Sequence, residues 1–167
     1  QMTEAAKRLA SWPIRIEETP ALSITHARIK ARRLHARGLV RWIAVDYLQL
    51  MTAARTDSRE QSVAQISAGL KALAKETSML VVALSQLRRA VEDRKDGRPQ
   101  LSDLRESGAI EQDADAVIFL WRDGPKVEGA DTIPVALKVA KNRFGAPGVA
   151  RLLFTGSTLT FSENRRY

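Results

Sequence analysis

The chain has 167 residues, 44% of them hydrophobic and 28% charged, with no Cys and two His. That composition suits one ordinary globular domain or a large piece of one, and excludes wholesale disorder, a disulfide scaffold and any thiolate metal site. Twenty-seven Lys and Arg against nineteen Asp and Glu leave a net charge of +8, which favours polyanionic partners such as nucleic acid or nucleotides.

Residues 3–12 read as a short helix with Ala5, Ala6, Leu9 and Ala10 on one side, stopped by Pro13. Residues 14–18 alternate apolar and polar and predict a short strand. Ser23 is placed to cap a helix running to about Arg37, with Gly38 at its stop. That helix carries Arg28, Lys30, Arg32, Arg33 and Arg37 without an acidic residue, and reads as a solvated face ahead of a polyanion contact. Residues 39–45 form an apolar run ending in Asp46, which predicts a strand buried on both faces.

Ser58 and Gln61 have capping-box spacing, and the helix after them carries a core stripe of Val63, Ile66, Leu70 and Leu73. Residues 78–84 give a second apolar strand, ending in Ser85-Gln86. Residues 87–100, dense in both charges with Gly97 and Pro99, read as a loop. Residues 114–121 predict a third buried strand, and residues 132–140 and 149–154 bracket a glycine-bearing hairpin tip. A last short strand is expected over 159–161. The alternation argues an α/β fold: a mostly parallel sheet flanked by helices, with an antiparallel hairpin at its C-terminal end. Residues 1–167 show no composition break, no internal repeat and no membrane-length apolar run.

Ligands of open parallel sheets bind outside the carboxyl ends of the strands. Two strands here end in polar residues, Asp46 and Ser85-Gln86. An aspartate after an apolar strand suits the water shell of magnesium beside a nucleotide, and a glutamine there can position water or sense a phosphate. Each has a plainer reading, as a turn residue and as a satisfied amide, and the pair together favours a phosphate site. The string Gly-x-x-x-x-Gly-Lys-Ser/Thr, whose backbone N–H groups would wrap the phosphates, does not occur. The residues alone carry half of a nucleotide site.

The strings themselves show a resemblance. Val45-Asp46-Tyr47-Leu48-Gln49-Leu50-Met51 resembles the magnesium-binding motif of bacterial replicative helicases of the DnaB family. Ala83-Leu84-Ser85-Gln86-Leu87 resembles the next motif, and Ser102-Asp103-Leu104-Arg105-Glu106-Ser107-Gly108-Ala109-Ile110-Glu111-Gln112-Asp113-Ala114-Asp115 the most diagnostic stretch. Lys141-Asn142-Arg143-Phe144-Gly145-Ala146-Pro147-Gly148 resembles the family's C-terminal hairpin. Order and spacing fit from about residue 14 to residue 163.

The resemblance implies a RecA-like ATPase domain that assembles as a homohexamer around single-stranded DNA, with ATP and Mg2+ between neighbouring subunits. Carried over, Asp46 would hold Mg2+ indirectly through water, and Gln86 would couple the phosphate state to the DNA loops. Lys141 and Arg143 would reach the neighbour's ATP, with Arg143 as the arginine finger. Arg105, Glu106 and Gly108 would meet the DNA backbone: Arg105 as a charge-assisted donor, Gly108 by close backbone approach, Glu106 through its own backbone or by orienting Arg105. The alternative for Asp103 and Glu106 is to cap a short helix. Primase and a helicase loader follow as partners, with a cytoplasmic, nucleoid-associated location and no membrane.

The family's phosphate loop, the strand bearing its catalytic glutamate and its N-terminal domain are expected to precede the region represented here. The sequence opens on Gln1 and is expected to be a fragment that does not hydrolyse ATP alone. The competing reading is a truncated, non-catalytic paralogue that binds DNA or a helicase ring. Retention of Asp46, Gln86 and Arg143 together favours the helicase, and the Asp-Leu-Arg-Glu-Ser-Gly stretch argues against a recombinase or clock-type ATPase.

Overall fold

The helix signals hold at their N-termini. In a computed structural model, which describes residues 2–54, 56–94, 96–104, 108–124 and 127–164, α1 (Met2–Ala10) ends ahead of Pro13. The Ser23 hydroxyl accepts the His26 N–H at 3.2 Å and starts α2 (Ile24–Ala36), and Gly38 beyond its end takes φ +67°. α3 (Arg59–Thr77) begins with the Ser58 hydroxyl accepting the Gln61 N–H at 3.2 Å. Gln61 returns its side-chain bond to the Asp57 N–H rather than to Ser58.

α3 is the hub of the core. Val63, Ile66, Leu70 and Leu73 are all buried, each worth about 1.5–3 kcal/mol of burial. They meet Ile24 of α2, Leu48 and Met51, then Leu104, Ile110, Val117 and Phe119, while Leu73 packs with Ala31 and Met79. α2 lies close against α3 because Gly69 has no side chain: a Cβ there would collide with Cγ1 of Ile24. The basic face of α2 is partly neutralised, since Arg28 and Arg32 both reach Glu76 and Lys30 pairs with Glu17.

β1 (Trp42–Val45) and β2 (Leu80–Ala83) pair in parallel, from Trp42↔Leu80 to Val45↔Ala83, with α3 as the crossover between them. A second sheet holds β3 (Ala116–Arg122), β4 (Thr132–Asn142), β5 (Gly148–Thr155) and β6 (Thr160–Glu163) in that order, antiparallel throughout. β4 is paired along both sides, and its entry is fixed where the Asp131 carboxylate accepts the Ser157 N–H and hydroxyl at 2.7 and 2.6 Å. α4 (Gly108–Asp113) leads into β3.

The fold class agrees with expectation, and three details differ. Residues 14–18 form no strand: Ile14 and Ile16 are 58% and 80% exposed and no ladder partner stands beside them among the described residues. The 39–45 run is not buried on both faces, because β1 and β2 are covered on one face only. Trp42 and Leu80 remain 59% and 64% exposed. The third apolar strand, β3, joins the antiparallel sheet instead of extending the parallel one, and its side chains alternate between buried and exposed.

Candidate functional site

Asp46 directly follows the last residue of β1, and Gln86 lies three residues past the end of β2. Because Val45 and Ala83 are register partners, both polar residues emerge at one edge, the carboxyl end of the parallel pair. The main chain continues the pairing there: Leu84 N–H donates to Val45 C=O and Leu48 N–H to Leu84 C=O, both at 2.9 Å. Asp46 is exposed, with no hydrogen bond or ion pair from any described residue. The peptide between it and Tyr47 is cis.

Gln49 ties this edge together. It is 6% exposed, in a 3-10 turn (Leu48–Leu50) packed on α3. Its Oε1 accepts the Gln86 N–H at 3.2 Å, and its Nε2 donates to the Ser85 hydroxyl at 3.0 Å and to the Gln86 C=O at 3.4 Å. Its own C=O accepts from the Arg59 guanidinium. A buried amide with both ends satisfied fixes the main chain at 85–86 and leaves the exposed Gln86 side chain available to solvent.

The second pair of expected residues sits at the base of the hairpin. Lys141 lies in β4, and its Nζ donates to the Glu111 C=O and, at 3.5 Å, to that of Gln112. Arg143 follows β4; its Nη2 donates to the Gln112 C=O at 2.7 Å and its backbone N–H to the Asp115 C=O at 2.8 Å. Glu111 and Gln112 belong to the last turn of α4, where carbonyls have no intrahelical partner and attract cations. Nη1 of Arg143 stands 3.4 Å from Oδ1 of Asp115. Lys71 of α3 donates to both oxygens of that carboxylate at 2.5 Å. The Lys71 hydrogen bond, above all, holds the Asp115 carboxyl below its usual range; desolvation opposes it, and the charges of Lys71, Arg143 and Lys141 assist.

Of the expected DNA-loop residues, Arg105 and Glu106 lie outside the described residues, and Gly108 opens α4 on the surface. A Cβ at Gly108 would meet nothing within 4 Å among the described residues. The segment ahead of residue 105 is clamped by Arg94, whose guanidinium makes a bidentate pair with the buried Asp103 at 2.8 and 2.9 Å. Asp103 also accepts the Gln100 N–H at 2.7 Å, capping the turn Leu101–Asp103. Arg94 is thus tied into the fold.

The structure therefore gathers the expected residues in two sets on different sheets, Asp46 with Gln86 and Lys141 with Arg143. No hydrogen bond or ion pair joins the sets among the described residues. A hollow of about 180 Å³ lined by Arg98, Trp121, Lys138 and Arg151 contains none of them. Sequence reasoning assigned no role to Gln49, Lys71 or Asp115. The available signal was a polar residue inside an otherwise apolar stretch, as Gln49 is between Leu48 and Leu50.

The family model described as the DnaB-like helicase C terminal domain matches residues 1–163. The chain belongs to that family. Among curated relatives, a replicative DNA helicase DnaB of Leifsonia xyli is 43% identical over 163 residues, which cover 93% of this chain and 35% of the relative. A replicative DNA helicase DnaB of Geobacillus stearothermophilus is 43% identical over 159 residues, covering 92% and 35%. The solved structure of a DnaB-like replicative helicase, described with its interactions with primase, superposes with TM-score 0.87 at 37% identity, over 98% of this chain and 41% of that one. A second solved structure, described as an ATPase domain, superposes with TM-score 0.88 at 37% identity, over 98% and 59%. This DnaB-family chain thus spans about a third of the length of the curated relatives it matches.

Proposed function

We propose that the chain is the part of a DnaB-type replicative helicase that senses nucleotide and meets DNA. In this reading it works inside a homohexameric, ATP-driven ring that moves on single-stranded DNA, with primase and a loader as partners. The observation that carries the proposal is the joint placement of Asp46 and Gln86 at one edge, with Gln49 fixing the loop that bears Gln86.

The donor set fits Mg2+ held through water. Magnesium keeps several waters and uses one or two carboxylates with substrate phosphates, and Asp46 is a single exposed carboxylate at a strand end. When bound, Mg2+ and ATP supply the transferable phosphoryl group and the cation that offsets its charge. Asp46 would orient the water shell, and Gln86 would read the phosphate from its fixed backbone. Lys141 and Arg143, carried at the base of the hairpin, would reach the phosphates of the neighbouring subunit, where a guanidinium stabilises transition-state charge. Arg105, Glu106 and Gly108 would follow the DNA backbone without reading bases, as a motor travelling over all sequences requires.

The phosphate cradle has no counterpart string in this sequence, so the isolated 167-residue chain should not turn over ATP. In full-length rings carrying this segment, Asp46→Ala should abolish hydrolysis. Steady turnover by the isolated chain, lost on Asp46→Ala, would show the opposite: a complete site within these residues.

A further inference from the structure

Asp115 is the junction of three elements. It lies between α4 and β3, takes Lys71 from α3 on both carboxylate oxygens, and meets both the backbone and the guanidinium of Arg143 at the end of β4. Read as an ordinary surface ion pair it would contribute little to stability and nothing else. Two details argue for more. The Lys71 side chain is only 17% exposed, so the cation is committed to this carboxylate. The distances are also unequal: 2.5 Å to Lys71 on both oxygens, 3.4 Å to Arg143 on one.

That inequality has a chemical meaning. An arginine fork can take a carboxylate bidentately, which would cancel its charge and use its donors. Here Lys71 occupies the carboxylate, so Asp115 steadies one edge of the Arg143 guanidinium without capturing it. Nη2 is steadied by the Gln112 carbonyl. The Nε–H has no acceptor among the described residues, and two cations share one carboxylate, so the trio keeps one net positive charge.

We infer that Asp115 and Lys71 are positioning residues for Arg143: Asp115 aims the guanidinium, and Lys71 keeps Asp115 from sequestering it. The inference rests on the reading of Arg143 as the group that reaches a neighbour's phosphate. It predicts an unusual epistasis. Removing Lys71 should be worse than removing the Asp115 charge, because the freed carboxylate closes on Arg143. Removing both should restore the milder state.

The experiment uses full-length rings carrying this segment and measures single-turnover ATP hydrolysis and nucleotide affinity, with thermal melting as the check on folding. Lys71→Gln should slow hydrolysis about tenfold or more with nucleotide affinity unchanged, since a small misplacement of a catalytic group carries that scale of loss. Asp115→Asn should cost a few-fold, the Lys71→Gln/Asp115→Asn double variant should match Asp115→Asn alone, and Lys71→Arg should be close to normal. In an Arg143→Ala background all of these differences should vanish. Losses that multiply in the double variant, or persist without Arg143, would overturn the positioning role and leave the trans role of Arg143 standing. If Arg143→Ala subunits mixed into rings lower activity only in proportion to their fraction, the trans role fails and the inference falls with it.

Discussion

The side chain of Gln49 grips the main chain of Gln86 at both polar atoms, accepting its N–H at 3.2 Å and donating to its C=O at 3.4 Å. The contact spans the ends of two parallel strands and substitutes for the ladder where the strands stop. Gln49→Leu keeps the volume and removes every one of these bonds. Because water can reach Gln86, the expected cost is moderate, about 1–2 kcal/mol by urea unfolding. The sharper expectation is local: amide exchange at Gln86 should accelerate more than in the β1–β2 ladder. Equal protection in variant and parent would show that the grip does not hold the loop.

Gly108 offers a separation of fold from function. Among the described residues nothing occupies the space a Cβ would take, and the residue begins a helix, whose backbone Ala adopts without strain. Gly108→Ala should therefore leave the melting temperature unchanged or slightly raised. If the backbone here approaches a phosphate, single-stranded DNA affinity should drop equally across sequences, and affinity of the parent should fall steeply with salt. Unaltered DNA binding in Gly108→Ala would remove this residue from the DNA-contact set.

Asp103 predicts a pH response. The Arg94 hydrogen bond, chiefly, holds its carboxyl below the usual value of 3.8; burial opposes this, and the Gln100 N–H and the charges of Arg94 and Arg88 add to it. A carboxyl that is more acidic folded than unfolded stabilises the fold above its unfolded pKa, and that contribution disappears as pH falls through the folded value. At pH 7, Asp103→Asn should cost about 1.5–3 kcal/mol, as for a hydrogen bond to a charged group. The gap between variant and parent in unfolding midpoint should narrow below about pH 4, where the unfolded carboxyl starts to take up its proton. Asp115, shifted the same way by Lys71, adds to the acid sensitivity of the parent with the same sign.

Gly69→Ala sets two effects against each other. The helix gains about 1 kcal/mol in propensity. The new Cβ collides with Cγ1 of the buried Ile24, and overpacking of this kind typically costs about 1–3 kcal/mol. The balance should be a net loss of up to about 2 kcal/mol in unfolding free energy. Ile24→Ala removes Cγ1, so Gly69→Ala should cost less in that background than in the parent.

What the sequence made legible was what local chemistry writes. The Ser23 and Ser58 caps, the 63, 66, 70, 73 stripe and the Asp46 and Gln86 strand ends each follow from residue type and spacing over a few positions. Residues 14–18 alternate like a strand, but alternation does not provide the neighbour a ladder needs. The apolar run before Asp46 predicted two covered faces, whereas coverage depends on what packs there. Lys71 and Asp115 stand 44 positions apart, and Gln49 and Gln86 stand 37 apart. Periodicity exposes which side of an element is buried, and it carries no information about which distant polar group closes a pair. The positioning residues were invisible for that reason, although the residues they position were not.

β4 runs eleven residues, about 36 Å at the usual rise, flanked by β5 from Thr132 to Val139 and by β3 from Val135 to Asn142. Folding the sheet therefore fixes the backbone that carries Lys141 and Arg143, through the pairing of Lys141 with Val117 and the bond from the Arg143 N–H to the Asp115 C=O. Ordering a backbone residue costs about 1–2 kcal/mol of conformational entropy, and here that cost falls on folding. On the proposed reading, what would be left to freeze when a subunit engages the next is the rotamers of two long side chains, already half-restrained by the carbonyls of α4. Such a contact would have little left to order and would form and release with each turnover without disturbing the sheet beneath it.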